Sequence, residues 1–136
     1  MIRKYKVTLF SGFLLALFLF TGCSQNKLPE SNSYRQVSSK EAAAMMEDET
    51  DYIILDVRTP EEYEEKHITG AVNLPNETIK TEEITQLPDK EQLILVYCRS
   101  GNRSKQASQK LADLGYTNIV EFGGIKDWTG ETETGR

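Results

Sequence analysis

The residues whose types and spacing could do chemistry are Cys98-Arg99-Ser100-Gly101-Asn102-Arg103. They follow the apolar run Leu93-Ile94-Leu95-Val96-Tyr97 and precede a helical pattern, Ser104–Leu114, closed by Gly115. A loop that curls from a strand end into a helix start turns several backbone N–H groups inward, which makes an anion-binding nest. The helix dipole adds partial positive charge, and Arg99 and Arg103 add formal charge. All of these favour thiolate over thiol, so Cys98 is expected to titrate below the ~8.5 of a free cysteine. Gly101 supplies the backbone freedom that a tight curl needs. The competing reading is an inert buried cysteine at a strand end, which has no use for a loop containing glycine and arginine.

The elements that must position this loop alternate between strand and helix patterns. Tyr34–Val37 reads as a short strand, and Ser38 with Glu41 forms a capping box that opens a helix through Ala42–Met46. Tyr52–Val57 is nearly all apolar, as in a parallel strand covered on both faces. Thr59-Pro60-Glu61-Glu62 starts a helix, with a cap, a proline in the first turn and acids at the positive dipole end. A short strand is expected at Ala71–Leu74, a short helix around Thr81–Gln86, and a last strand at Ile119–Phe122. This order implies an α/β fold, a central parallel sheet with helices on both faces, whose ligands sit beyond the carboxyl ends of the strands. Asp56 and Arg58 then end one strand on the same rim as Cys98.

Composition narrows the function. The 136 residues hold 16 Lys and Arg against 21 Asp and Glu, for a net charge of −5. Residues 1–22 carry three of the bases (Arg3, Lys4, Lys6) and no acid, so the remainder has an acidic excess of eight. That balance excludes a nucleic-acid partner that would need a basic face. Two cysteines and one histidine build neither a disulfide scaffold nor a zinc site, so no metal or cofactor is expected.

Residues 1–22 read as a secretory signal, a basic start followed by the apolar run Val7–Phe20. The run has 14 residues, short for a bilayer span of ~20. It ends in Phe20-Thr21-Gly22-Cys23, which resembles a bacterial lipobox with Phe20 where leucine is usual. By that resemblance Cys23 becomes a lipidated N-terminus, anchored to the membrane and facing away from the cytoplasm. A plain cleaved signal is the alternative. Residues 23–33 are polar and suit a flexible tether. Cys98 is then the only free thiol of the mature chain.

Five segments in order resemble a known family, the single-domain rhodaneses or thiosulfate sulfurtransferases. They are Leu55-Asp56-Val57-Arg58, Glu62-Tyr63, His67 through Pro75, Val96 through Ser104, and Gly123-Gly124-Ile125 with Trp128. Lys66 and Thr69 depart from the family's usual glycine and proline, in a connecting turn. The resemblance spans residues 34–128 and leaves 129–136 as an acidic tail that matches nothing. It implies that Cys98 attacks a sulfane sulfur, holds it as a persulfide and passes it on. The donor would be a small anion such as thiosulfate, a polysulfide or a persulfide, and the acceptor a thiol, cyanide or a protein.

The same resemblance assigns the binding of sulfur to the loop Arg99, Ser100, Gly101, Asn102 and Arg103. The loop N–H groups would hold the thiolate and the outer sulfur. Arg99 would attract an anionic donor or, equally, be a solvated residue of the mouth, and Arg103 would brace the loop more than touch substrate. Asp56 and Arg58 are structural supports in the family, Asp56 accepting loop hydrogen bonds and Arg58 pairing with an acid. His67 is expected at the sheet edge away from Cys98, too far to be its base. Two rivals stand beside sulfur transfer. One is a non-catalytic module that binds a partner or senses oxidants through Cys98. The other is a cysteine phosphatase or arsenate reductase, whose sites resemble Cys-x5-Arg. Here only four residues separate Cys98 from Arg103, a loop better suited to sulfur than to a tetrahedral oxyanion.

Overall fold

The computed structural model describes residues 33–81 and 83–136. The signal, Cys23 and all but the last residue of the tether lie outside them. Five strands form one parallel sheet in the order β1 (Arg35–Gln36), β6 (Ile119–Gly124), β5 (Leu93–Cys98), β2 (Tyr52–Asp56) and β4 (Val72–Asn73). The expected α/β sheet is therefore present, with β5 at its centre. All six residues of β5 are buried, and its side chains alternate between two cores. Ile94, Val96 and Cys98 face α3 (Asn102–Asp113) with Ala107 and Leu111. Leu93, Leu95 and Tyr97 face the side of α1 (Ser39–Asp48) and α2 (Pro60–Glu65), with Ala42 and Tyr63. Helices thus cover both faces and keep this apolar strand dry on both sides.

Local chemistry sets the helix starts. Ser38 Oγ accepts the Glu41 N–H at 3.2 Å while the Glu41 carboxylate accepts the Ser38 N–H at 2.8 Å. Thr59 and Glu62 repeat that reciprocal pair at α2, with Pro60 in the first turn. Each box satisfies two N–H groups that a helix start otherwise leaves open.

Two segments differ from the expectation. No helix forms among the described residues of Thr81–Gln86; a turn there carries Ile84 and Leu87 into the core. The short helix lies earlier, a single 3-10 turn at Asn76–Thr78, where Pro75 O accepts both the N–H and the hydroxyl of Thr78. Residues 129–136 do not trail away either. Thr132–Glu133 form β7, antiparallel to β3 (His67–Ile68), in a second two-stranded sheet. Glu133 anchors it by accepting the Gly70 N–H at 2.9 Å and lying 3.3 Å from His67 Nε2.

Candidate active site

Cys98 ends β5 and is 1 % exposed. The chain then turns through Arg99 and Ser100 to Gly101, whose φ of +106° caps α3 in the left-handed region that glycine tolerates. This turn aims the Gly101 N–H at the sulfur, 3.0 Å away. Ser104, in the first turn of α3, brings its hydroxyl to 3.4 Å from Sγ. Burial pushes the Cys98 thiol up, but the Ser104 hydroxyl and the N–H groups of Ser104, Gly101 and Ser100 outweigh it. The net position is below the ordinary thiol value. The expected sources were a nest of N–H donors, the helix dipole and the two arginines; the N–H donors are present, and neither arginine is hydrogen-bonded to the sulfur. The Ser104 hydroxyl was not foreseen.

A second glycine brings β6 against the loop. Between Val96 and Cys98 the pairing of β5 with β6 slips by one residue, so that Val96 faces Glu121 but Cys98 faces Gly124. Such a bulge re-aims the strand beside it. A Cβ placed on Gly124 would lie 2.0 Å from Arg99 O and 2.5 Å from Ser100 N. The bulge also lets the Glu121 carboxylate accept the Gly123 N–H at 2.8 Å. That carboxylate is 2 % exposed and 2.5 Å from Ser104 Oγ. A buried acid joined to the hydroxyl that faces the nucleophile is the second feature that sequence reasoning missed. Its signal was one charged residue inside the apolar strand Ile119–Gly124, at a position facing α3.

The remaining candidates divide into braces and mouth. Asp56 is fully buried in register with Tyr97. It accepts from Arg58 Nε (3.0 Å) and Nη2 (2.6 Å), from the Arg58 N–H, and from the Tyr97 hydroxyl (2.6 Å). The acid that pairs with Arg58 is thus Asp56 itself, and Asp56 accepts from Arg58 and from Tyr97 of β5. Tyr97 OH also accepts the Ile68 N–H at 3.0 Å, which ties β3 to this cluster. Burial, then Asp56, pushes the Tyr97 hydroxyl far above its usual range, so it stays a donor.

Arg103 gives two bonds to Glu62, at 2.6 and 2.9 Å, and joins the start of α3 to the start of α2. That pair holds the Glu62 carboxyl down at about 2. Cys98 contributes to raising Arg103 in turn, so the guanidinium charge is felt at the sulfur while its donors are engaged elsewhere. Arg99, Ser100 and Asn102 are exposed. Arg99 lines an open groove of about 560 Å³ with Lys66, Lys126 and Trp128. A smaller hollow of about 260 Å³ lies at the other end of the strands, by Asp51 and Asn118, and holds no nucleophile. His67 stacks on Tyr63 at 3.7 Å, with Nδ1 2.7 Å from Tyr63 O and Nε2 toward Glu133. Both ring nitrogens are engaged away from the cysteine loop.

A buried cysteine held among N–H donors at a strand end can act as a nucleophile toward a small electrophile. Comparison with known proteins gives that chemistry a context. The family model for the rhodanese-like domain matches residues 38–131. Thiosulfate sulfurtransferase PspE of Escherichia coli (strain K12) is 42 % identical over 73 residues, 54 % of this chain and 70 % of the relative. Thiosulfate sulfurtransferase GlpE of Coxiella burnetii is 35 % identical over 96 residues, 70 % of this chain and 87 % of the relative. A solved structure of a rhodanese with anions from E. coli superimposes with a TM-score of 0.58 at 38 % identity. It covers 62 % of this chain and 99 % of that one.

Proposed function

The chain belongs to the rhodanese-like domain family and is a rhodanese-type sulfurtransferase, and we propose that it works through a persulfide on Cys98. In the first half-reaction the thiolate attacks the outer sulfur of an anionic donor such as thiosulfate. The donor's S–S bond breaks, sulfite leaves with the bonding pair, and Cys98 keeps the sulfur as a persulfide. In the second, a thiol or cyanide takes the outer sulfur and the thiolate returns. Splitting one transfer into two displacements is the gain of covalent catalysis.

The observation that carries this reading is Cys98 Sγ, 3.0 Å from the Gly101 N–H in a loop whose donors hold it below the ordinary thiol value. Those donors favour negative charge, which thiolate and persulfide both carry. Exposed Arg99 and Lys126 at the groove offer attraction to an anionic donor. Arg103, drawn to Glu62, weakens the phosphatase alternative, which would need its guanidinium inside the loop. Mass measurement of the protein after thiosulfate should show one added sulfur, and Cys98→Ser should lose both that sulfur and transfer to cyanide. Transfer surviving in Cys98→Ser would end this reading. We propose further that Cys23 carries the lipid that anchors the protein outside the cytoplasm, reading the lipobox-like Phe20-Thr21-Gly22-Cys23. The native protein should then partition into detergent with a diacylglyceryl mass that Cys23→Ala removes.

A further inference from the structure

The residue after the nucleophile, Arg99, opens onto a groove of about 560 Å³, in the range that takes a small organic ligand. At ~30 Å³ per heavy atom, as in liquid water, it has room for roughly 20 such atoms, several times what thiosulfate fills. Loop and groove are joined, because the Lys126 N–H reaches Arg99 O at 3.4 Å. A reactant larger than the donor therefore has a place to lie beside the cysteine loop.

The charges of this groove are not balanced within the protein. Arg58 is taken by Asp56 and by Lys66 O, and Glu62 is taken by Arg103. What remains is Lys66 at the end of α2, Arg99 in the loop and Lys126 after β6, against the one acid Glu65. All three cations are exposed and unpaired among the described residues. They line one cleft of a chain that is acidic overall. Such a cleft attracts anions, and several cations together suit a ligand with more than one negative group.

The same cleft has an apolar wall, Ile125 and Trp128, both half-buried. The indole is held in place. Its Nε1–H donates to Glu131 O at 3.2 Å, and its ring lies 5.8 Å from that of Phe122. Gly130 packs on it so closely that a Cβ there would lie 2.6 Å from the ring. A fixed aromatic wall takes up the apolar stem of a ligand without a further ordering cost.

We propose that this groove seats the sulfur acceptor, and that the acceptor is a small peptide thiol bearing carboxylates. Its carboxylates meet Lys66 and Lys126 and its stem lies on Trp128, which leaves its sulfur to approach the loop at Arg99. There the acceptor thiolate attacks the outer sulfur of the Cys98 persulfide. One S–S bond forms, the bond to Cys98 breaks with its electron pair returning to Cys98, and the acceptor leaves as a persulfide. The proposal rests on the persulfide reading and adds the kind of acceptor that the second half-reaction takes.

Trp128 is the one tryptophan of the chain, so its fluorescence reports on the groove without any sulfur chemistry. S-methylglutathione, a carboxylate-bearing peptide that cannot accept sulfur, should change that emission in the full chain and saturate. Its diethyl ester should bind about tenfold more weakly, having lost two exposed ion pairs at about threefold each. Lys66→Ala and Lys126→Ala should each close about threefold of that gap, whereas general damage to the fold would weaken acid and ester alike. With thiosulfate as donor, glutathione should show the same preference over its diethyl ester in KM. Emission unmoved by the acid overturns the proposal and returns the groove to the donor or to a protein acceptor. Equal binding of acid and ester, or equal KM, overturns it too. Transfer to cyanide separates the two failures: where it persists, the persulfide stands and only the acceptor seat falls, and where it is absent, the persulfide reading itself has failed.

Discussion

Gly124→Ala isolates how the fold holds the cysteine loop. Glycine here is not needed for its backbone freedom, since φ is −137°, a value any residue adopts. It is needed for space. The added methyl would sit 2.0 Å from Arg99 O, 2.4 Å from Arg99 C and 2.5 Å from Ser100 N, all backbone atoms that no rotamer change can clear. To reach ordinary contact, loop or strand must retreat by more than about 1 Å, and overpacking of this kind costs about 1–3 kcal/mol. For a domain near 100 residues that is a fall in Tm of the order of 10 °C. The functional loss should be larger in proportion. Displacing the loop by ~1 Å carries the Gly101 N–H off the sulfur, and misplacement of that size costs on the order of 100-fold in rate. Sulfur transfer from thiosulfate to cyanide and thermal melting measure the two. Gly123→Ala is the control with the opposite cause: φ is +87°, but nothing lies within 4 Å of the new Cβ. It should cost about 1–2 kcal/mol of strain and leave transfer much nearer wild type. A Gly124→Ala protein within about threefold of wild-type transfer, melting normally, would refute the close approach as what positions the loop.

Two further outcomes follow from single side chains. Glu62 is held at about 2, below its unfolded value, chiefly by Arg103. Its contribution is therefore complete above the unfolded carboxylate range near ~4.3 and disappears as pH falls toward 2. Glu62→Gln should lower stability at neutral pH by about 1 kcal/mol, allowing for solvent around a partly exposed pair, and should flatten the acid side of the stability profile. Urea unfolding followed from neutral pH down to about pH 3 reads this, and an unchanged acid limb in the variant would contradict it. Ser108 is fully buried on α3 and its hydroxyl has no hydrogen-bond partner among the described residues. Ser108→Ala should raise stability by about 1 kcal/mol, by removing a desolvated group that gains nothing in return; a clear loss in urea unfolding would mean the hydroxyl has a role the fold does not reveal.

What was legible in the chain was what neighbours in sequence decide. Capping boxes at Ser38 and Thr59 involve residues three apart, and both formed. The unbroken apolar runs of β2 and β5 required cover on both faces, and α1, α2 and α3 supply it. The curl from Cys98 to Gly101 is also local, and the left-handed Gly101 is its consequence. Misses arose where a partner came from far along the chain. Residues 81–86 look helical by composition, yet Ile84 and Leu87 are taken by the core beneath α3 in a turn. Nothing near Thr132 announces a strand, because its ladder is completed by Ile68. Glu121 is 17 residues from Ser104, and only the bulge in β6 sets its carboxylate beside that hydroxyl.

Burial and anion stabilisation pull Cys98 in opposite directions, and the site resolves the conflict by choosing donors that carry little charge of their own. Burial alone would raise the thiol and silence it. Two formal cations lie within five residues of it in sequence, but neither is bonded to the sulfur: Arg103 is tied to Glu62, and Arg99 stands exposed at the groove. Stabilisation at the sulfur falls to backbone N–H groups, which are fixed in place, and to one hydroxyl, and none of them costs a desolvated charge. A buried arginine at the sulfur would stabilise the thiolate more strongly, and would by the same measure bind an oxyanion product and slow its release. Fixed backbone dipoles inside and an exposed cation at the mouth separate the two demands. Charge on the nucleophile is favoured where water is excluded, while any attraction for an anion acts at the mouth, where screening weakens it.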